Sequence, residues 1–230
     1  EHERVLARAE REFGVPAEII VATIGVETVY GTFTGTHRVL DALTTLAFDF
    51  PRRADFFRGE LEQFLLLAPD RVLDPLSIKG SYAGAMGIPQ FMPSSYQRYA
   101  IDFDGDGRKN LWDSVADSIG RVGNYYRTFG WQEGRPIAVG AKVEGDGYAA
   151  LAERGIEAVI DAATLTQSGV TPLHEIGEER VAMLVLEGDV GSEYWLGLNN
   201  FYVITRYNRS VNYAMSVFQL AQEIRAARGR

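Results

Sequence analysis

Apolar residues recur with a helical period at the start of the chain. Residues 4–13 carry one apolar stripe that stops at Gly14, and residues 17–26 are apolar on nearly every side. A helix without a polar face is a buried helix, and Pro16 suits the first position of such a helix. The pattern therefore predicts two helices, the second of them inside the core.

The same period returns further along the chain. It predicts a helix from Asp41, as N-cap, to Phe50, and an amphipathic helix over 52–68. Other helices are expected over 93–100, 115–129, 148–154 and 211–227. Both ends of the chain are therefore expected to be helical.

From residue 132 to residue 193 the pattern changes to short β-type runs between glycines and prolines. Runs at 137–143 and 181–187 predict strands. We therefore expect an α+β, mainly α, fold with a small inserted α/β lobe at 132–193. The expected main helical core is 1–131 with 194–230, and it includes a helical subdomain at about 39–75.

The composition excludes several classes of function for this protein. The chain has 230 residues, 46% of them hydrophobic, a formal net charge of -8 and no cysteine. An acidic chain without a basic stripe is a poor partner for nucleic acid, and the lack of thiols excludes disulfides and cysteine catalysis. The three histidines are too scattered for a zinc site or a Ser-His-Asp triad. No apolar run approaches the roughly 20 residues that span a bilayer.

One carboxylate, Glu27, falls on the buried helix. It shares an apolar stripe with Ile20 and Ile24, at positions i, i+4 and i+7. Burial disfavours the ionised form of a carboxyl group, which suits a general acid near neutral pH. Gly31 would end the helix and leave Glu27 in its last turn, at the edge of a cavity. The pattern fits equally well a glutamate at the edge of the core that pairs with an arginine or caps a helix.

A second unusual segment covers residues 76–92. Gly80, Gly84 and Gly87 alternate with polar and aromatic residues, so the chain bends repeatedly and its backbone can approach another group closely. The segment is typical of a cleft wall, where Gln90 could bind a ligand, or of a plain buried loop.

Residues 102–113 have the spacing of a twelve-residue calcium loop. Its oxygen ligands would be the side chains of Asp102, Asp104, Asp106 and Asp113 and the carbonyl of Arg108. The last position holds an aspartate in place of the longer bidentate glutamate, and an acidic glycine turn that binds nothing is the alternative. A single loop of this kind is typical of a structural site, not of a calcium sensor.

Four segments carry a family resemblance. They are the run from Gly25 to Gly31, the run from Gly80 to Tyr96, the calcium loop, and the tetrapeptide Thr205-Arg206-Tyr207-Asn208. In this order they resemble the membrane-bound lytic transglycosylase B family, glycoside hydrolase family 103. The resemblance extends from about residue 14 to residue 227, and it implies a lysozyme-like helical core with an EF-hand-like calcium loop.

The resemblance also implies an activity. Members of that family cleave the β-1,4 bond between N-acetylmuramic acid and N-acetylglucosamine in peptidoglycan without water, and leave a 1,6-anhydromuramic acid end. Glu27 matches their single catalytic residue, which acts first as acid and then as base. Most glycosidases use two carboxylates; here the substrate's own 2-acetamido group would stabilise the anomeric carbon.

The remaining site residues and partners follow from the same resemblance. The substrate contacts carry over to Ser81, Gln90, Tyr125, Tyr207, Asn208 and Tyr213, with Arg52 and Arg53 for the muramyl peptide. The ligands of a structural Ca²⁺ carry over to Asp102, Asp104, Asp106, Arg108 through its carbonyl, and Asp113. No organic cofactor is expected. The expected state is a monomer in the periplasm, soluble or lipid-anchored through a segment that precedes Glu1, and the expected partners are glycan strands and other cell-wall enzymes.

Two other functions stay open on the sequence. One is a catalytically silent glycan-binding module stabilised by calcium, which would not need Glu27. The other is a hydrolytic muramidase, which would need a second carboxylate in the cleft.

Overall fold

A computed structural model of the chain describes residues 2–67 and 74–229. The fold is mainly helical with two small antiparallel sheets, which confirms the predicted mainly α class. The helices are α1 (Glu3–Phe13), α2 (Ala17–Thr28), α3 (Val39–Asp49), α4 (Ala54–Leu67), α5 (Pro93–Tyr99), α6 (Val115–Thr128), α7 (Tyr148–Ala152), α8 (Ala162–Gln167), α9 (Asn199–Tyr207) and α10 (Val211–Arg228). The strands are β1 (His37–Arg38), β2 (Lys79–Gly80), β3 (Ala138–Val143), β4 (Val170–Pro172), β5 (Ala182–Gly188) and β6 (Gly191–Gly197). Among the described helices, none is both long and apolar enough to cross a membrane.

The chain divides into two compact units, Glu1–Tyr125 and Tyr126–Arg230. This division differs from the predicted one, which joined residues 194–230 to the N-terminal helices around an inserted lobe at 132–193. In the structure the last two helices belong to the same unit as the four-stranded sheet.

Contacts inside the second unit explain the difference. Strand β6 leads directly into α9, where the Asn200 side-chain oxygen accepts a hydrogen bond from the Gln132 backbone N–H at 2.8 Å. The Trp195 ring of β6 meets the Phe218 ring of α10 edge-on at 6.3 Å. The C-terminal helices therefore pack on the sheet, a long-range arrangement that helical periodicity does not reveal.

Helix α2 is buried, as predicted. Ile20 and Ala22 are fully buried, and Pro16 is the N-cap, so the helix begins one residue later than expected. Gly14 ends α1 with φ 69°, and its N–H donates to the Glu10 carbonyl. The left-handed conformation at Gly14 is the predicted helix stop.

Two bounds in the predicted helical subdomain need correction. Helix α3 begins at Val39 with Arg38 as its N-cap. Asp41 therefore lies inside the first turn, where its carboxylate pairs with the Arg38 guanidinium at 2.8 Å. A 3-10 turn, Pro51–Arg53, precedes α4. Helices α3 and α4 pack against each other; residues 68–73, where the predicted helix ends and the subdomain continues, lie outside the described residues.

The second sheet has the strand order β4-β3-β6-β5. Strands β3 and β5 match the two predicted runs, whereas β4 and β6 were not predicted. One side of the sheet packs with α7 and α8 around a core of Val139, Leu151, Ile160, Leu165, Val170, Ile176, Val181, Met183, Leu196 and Leu198. This unit therefore has an apolar core of its own.

Candidate active site

Glu27 lies in the last turn of α2, half-buried. The position in the last turn is the predicted one, but the helix ends at Thr28, three residues before Gly31. The next three residues, Val29, Tyr30 and Gly31, all have positive φ angles, of 49°, 57° and 86°. The chain therefore leaves the helix through a left-handed turn directly after Glu27.

This turn is unusual because two of its residues carry side chains. The left-handed region costs a residue with a Cβ about 1–2 kcal/mol, and a β-branched residue such as Val29 is rare there. Residues held in this way cluster at functional sites, where surrounding contacts fix them. The phenol ring of Tyr30 folds back over Gly25, where a Cβ would lie 2.9 Å from the ring.

The buried side chain of Thr28 joins this turn to the glycine-rich segment. Its Oγ1 lies 2.9 Å from the Ile88 carbonyl oxygen, to which it donates, and it accepts a hydrogen bond from the Gly31 N–H at 2.9 Å. The Ile88 N–H in turn donates to the carbonyl of Leu111 at 2.9 Å. Thr28, the residue directly after Glu27, is therefore bonded to a segment that is itself held by Leu111.

Ser81 and Gln90 organise that segment. The Ser81 hydroxyl oxygen accepts the backbone N–H groups of Ala83 and Ala85 at 3.2 and 3.0 Å. Gln90, whose φ is 50°, donates its side-chain amide to the carbonyl oxygens of Thr34 and Gly87, both at 2.9 Å. The segment of residues 76–92, called the glycine-rich wall below, is held by internal hydrogen bonds and bends repeatedly, as its glycines predict.

Tyr125 is only 7% exposed. Its ring packs against Phe91 at 5.4 Å and edge-on against Tyr99 at 5.2 Å. Beside this cluster lies Arg121, a fully buried residue that the sequence reasoning missed. Its guanidinium stacks on the rings of Phe91 and Tyr96 at 5.2 and 4.6 Å from the ring centres. Its position in an otherwise amphipathic helix gave no distinct signal.

The predicted arginine pair is exposed in the 3-10 turn before α4. The guanidinium of Arg53 lies over the Phe56 and Phe57 rings at 4.4 and 5.2 Å. That stacking fixes the direction of Arg53, while Arg52 projects from the same turn.

Tyr207, Asn208 and Tyr213 come together in the second unit, where α9 ends and α10 begins. The rings of Tyr207 and Tyr213 are stacked, with centres 6.4 Å apart and an interplanar angle of 14°. Exposed Asn208 is the C-cap of α9, and the Ser210 hydroxyl caps α10 by accepting the Tyr213 N–H at 3.3 Å.

Three of the predicted calcium ligands converge. Carboxylate oxygens of Asp102, Asp104 and Asp106 all lie within 4.8 Å of one another. Asp102 also accepts the N–H groups of Gly105 and Gly107 at 2.7 and 2.8 Å, which curls the loop around it. The Asp113 carboxylate is not part of this group among the described residues, and its backbone N–H donates to the Asn110 side chain at 3.0 Å.

Asp117, a carboxylate outside the twelve-residue pattern, holds the loop through hydrogen bonds to its backbone. Asp117 is fully buried and accepts the N–H groups of Phe103 and Asn110, both at 2.7 Å. Burial raises the pKa of Asp117 above its usual value, against the opposing effect of these hydrogen bonds. It lies in the first turn of α6, beyond the last position of the pattern, so the pattern could not have found it.

Comparison with known proteins identifies the family. A family profile described as "Transglycosylase SLT domain" matches residues 1–222. The chain belongs to this family. It is also 51% identical over 229 residues to the membrane-bound lytic murein transglycosylase B of Escherichia coli (strain K12), which confirms the resemblance drawn from four motifs. That match covers 99% of this chain and 62% of the relative, so the chain spans less than two thirds of the relative's length.

Solved structures of lytic transglycosylases share the fold. The soluble lytic transglycosylase SltB1 from Pseudomonas aeruginosa is 53% identical, with a TM-score of 0.93 over 100% of this chain and 76% of that one. The Escherichia coli lytic transglycosylase Slt35, solved in complex with calcium, is 48% identical, with a TM-score of 0.91 over 100% of this chain and 72% of that one.

Proposed function

We propose that this protein is a peptidoglycan lytic transglycosylase with Glu27 as its single catalytic acid and base. The bond cleaved would be the β-1,4 link from N-acetylmuramic acid to N-acetylglucosamine, and the product end would be 1,6-anhydromuramic acid. The observation that carries the proposal is the half-buried carboxyl of Glu27 at the end of α2. The next residue, Thr28, hydrogen-bonds to the glycine-rich wall, and the chain belongs to the transglycosylase family.

The proposed reaction needs a single group that first donates a proton and later takes one back. Glu27 donates its proton to the glycosidic oxygen as the bond to the anomeric carbon breaks, and the N-acetylglucosamine leaves as an alcohol. The substrate's acetamido oxygen stabilises the anomeric carbon. The Glu27 carboxylate then takes the proton of the C6 hydroxyl as that oxygen attacks the anomeric carbon. No water is consumed and the enzyme returns to its starting state.

The proposed substrate contacts follow the geometry of each unit. In the first unit, Ser81 can still donate its hydroxyl hydrogen and Gln90 can accept through its carbonyl oxygen, while buried Tyr125 would contribute little more than its edge. Arg52 and Arg53 would meet the carboxylates of the stem peptide. In the second unit, stacked Tyr207 and Tyr213 offer aromatic faces for a sugar ring, with the Asn208 amide beside them.

Glu27→Gln is expected to abolish cleavage and to leave the fold intact, because the amide is nearly isosteric but supplies no acid proton. The measurement is mass spectrometry of purified peptidoglycan after digestion. Wild type should release muropeptides one water lighter than lysozyme products. Glu18→Gln, at the other end of the same helix, is the matched control and should digest normally.

Other results would identify the other functions. Products that have gained water would mean a hydrolytic muramidase. Intact glycan that wild type and Glu27→Gln bind equally tightly would mean a silent binding module.

We also propose a structural Ca²⁺ held by Asp102, Asp104, Asp106 and the Arg108 carbonyl. Carboxylates about 4 Å apart repel each other by about 1 kcal/mol in water, and by more where water is excluded. A cation with oxygen ligands relieves that repulsion. The bound ion would supply loop stability and no chemistry. The calcium complex of the similar Slt35 structure supports the proposal.

Calcium is expected to raise the melting temperature, since it binds the native state alone, and a chelator should reverse the shift. Asp106→Asn should remove most of the shift, measured by differential scanning fluorimetry. Asp113→Asn should keep most of it, because Asp113 lies outside the converging group. Equal melting curves with calcium and with chelator would refute the site.

The cellular setting is part of the same proposal. The protein would act in the periplasm on glycan strands, beside other cell-wall enzymes, as a monomer that is soluble or anchored by lipid. The relative named as membrane-bound supports the anchored alternative.

A further inference from the structure

We propose that Thr28 is a positioning residue, which fixes the Glu27 carboxyl relative to the glycine-rich wall. The inference rests on the proposed function. Thr28 follows Glu27 directly, is 1% exposed and presents no atom to a substrate. Any effect on the reaction must therefore pass through Glu27 and the wall.

The hydroxyl of Thr28 serves two elements at once. It donates to the Ile88 carbonyl at 2.9 Å and lies 3.2 Å from the Ile24 carbonyl of its own helix. It also accepts the Gly31 N–H at 2.9 Å, and so closes the turn after the helix. One side chain thus links the end of α2, the left-handed turn and the wall.

The far end of this link is itself held by backbone hydrogen bonds. Residues Met86 and Phe91 exchange two backbone hydrogen bonds, at 2.8 and 3.0 Å, and close the bend that carries Ile88. The Ile88 N–H is bound to the Leu111 carbonyl at 2.9 Å, and a Cβ on Gly87 would lie 2.7 Å from Leu111. Because Ile88 is held in this way, the hydrogen bond from Thr28 to its carbonyl can in turn hold the neighbouring Glu27 in place.

The left-handed turn needs such a contact. Val29 and Tyr30 adopt backbone angles that favour glycine, and they relax unless neighbouring contacts fix them. Without the Thr28 hydroxyl, we expect the turn to relax and the last helical turn, which carries Glu27, to shift. A misplacement of about 1 Å in a catalytic group can cost roughly 100-fold in rate.

The test compares Thr28→Val, which keeps the shape and removes the hydroxyl, with Thr28→Ser, which restores it. Thr23→Val is the matched control. Thr23 is also buried in α2, and its hydroxyl donates to the Ile19 carbonyl within the helix at 2.8 Å. Release of anhydro-muropeptides from soluble glycan strands gives kcat and KM at a temperature where every variant is folded.

We expect Thr28→Val to lower kcat about 10- to 100-fold with KM within about 3-fold, and Thr28→Ser to recover most of the loss. Thr23→Val should lower the melting temperature and leave kcat unchanged. A kcat loss equal in both valine variants, or a rise in KM alone, would overturn the inference. If Thr28→Val does not fold, Thr28→Cys takes its place, since a thiol is a weak hydrogen-bond donor.

Amide hydrogen exchange separates this inference from the proposed function. The Gly31 N–H should exchange faster in Thr28→Val than in wild type and Thr23→Val, whatever reaction the protein catalyses. Unchanged exchange at Gly31 would refute the link even if the protein is a transglycosylase. If wild type releases no anhydro product, the proposed function fails, and faster exchange with unchanged rates would show that the link is structural only.

Discussion

At the scale of single residues, position in the chain does not reveal what a side chain touches. Gly59 and Gly120 are both glycines inside helices, of α4 and α6. A Cβ on Gly59 would meet nothing within 4 Å, whereas a Cβ on Gly120 would lie 2.3 Å from the buried ring of Phe103. The sequence shows two similar glycines and the structure shows two different requirements.

We expect opposite effects from the same substitution at these sites. Gly59→Ala should stabilise the protein by about 0.5–1 kcal/mol, because alanine has the higher helix propensity. Gly120→Ala should destabilise it by about 1–3 kcal/mol, because the methyl group overpacks against Phe103. Urea unfolding of the two variants measures both values. A stabilising Gly120→Ala would mean that Phe103 moves freely.

At the scale of elements, helix ends are held by side chains from elsewhere in the chain. The start of α5 is held by Glu60 of α4, which is 5% exposed. Its carboxylate accepts the backbone N–H of Ser94 at 2.9 Å and the Ser94 hydroxyl at 2.7 Å. Negative charge at a helix N-terminus is favourable, and buried N–H groups need acceptors. The helix itself was predicted from Pro93, but its capping residue was not.

Glu60→Ala should therefore destabilise the protein by about 1–3 kcal/mol, because it leaves the Ser94 groups without their acceptor. Glu62→Ala, an exposed position on the same helix, is the control and should change stability by less than about 0.5 kcal/mol. Thermal unfolding monitored by circular dichroism compares them. Equal losses would show that the substitutions act through helix α4 alone.

At the scale of the whole molecule, the second unit has an apolar core of its own, and the calcium loop lies in the first unit. Local stability follows contiguous cooperative units. A destabilising substitution in that core should therefore speed amide hydrogen exchange first in the second unit. This expectation depends on the observed division of the chain at residue 126. The predicted division, which joined residues 194–230 to the N-terminal helices, would not lead to it.

Leu165, which is fully buried in the core of the second unit, offers the test. Leu165→Ala should cost about 2–5 kcal/mol and speed amide exchange in strands β3 and β5. Calcium should instead slow exchange in residues 102–117 and leave those strands unchanged. Hydrogen exchange with mass spectrometry reads both responses, and a uniform response along the chain would mean that the units unfold as one.

The sequence by itself determined the mainly helical class, the buried helix that carries Glu27, the bends of the glycine-rich segment and the family. These features are local, because periodicity, glycine spacing and motifs depend on residues that are close together in the sequence. The tertiary structure alone decided which unit the C-terminal helices join, where α2 ends, and which groups Thr28, Arg121 and Asp117 contact. Each of these depends on a partner distant in the chain, such as Ile88 for Thr28, and no local pattern specifies such a partner.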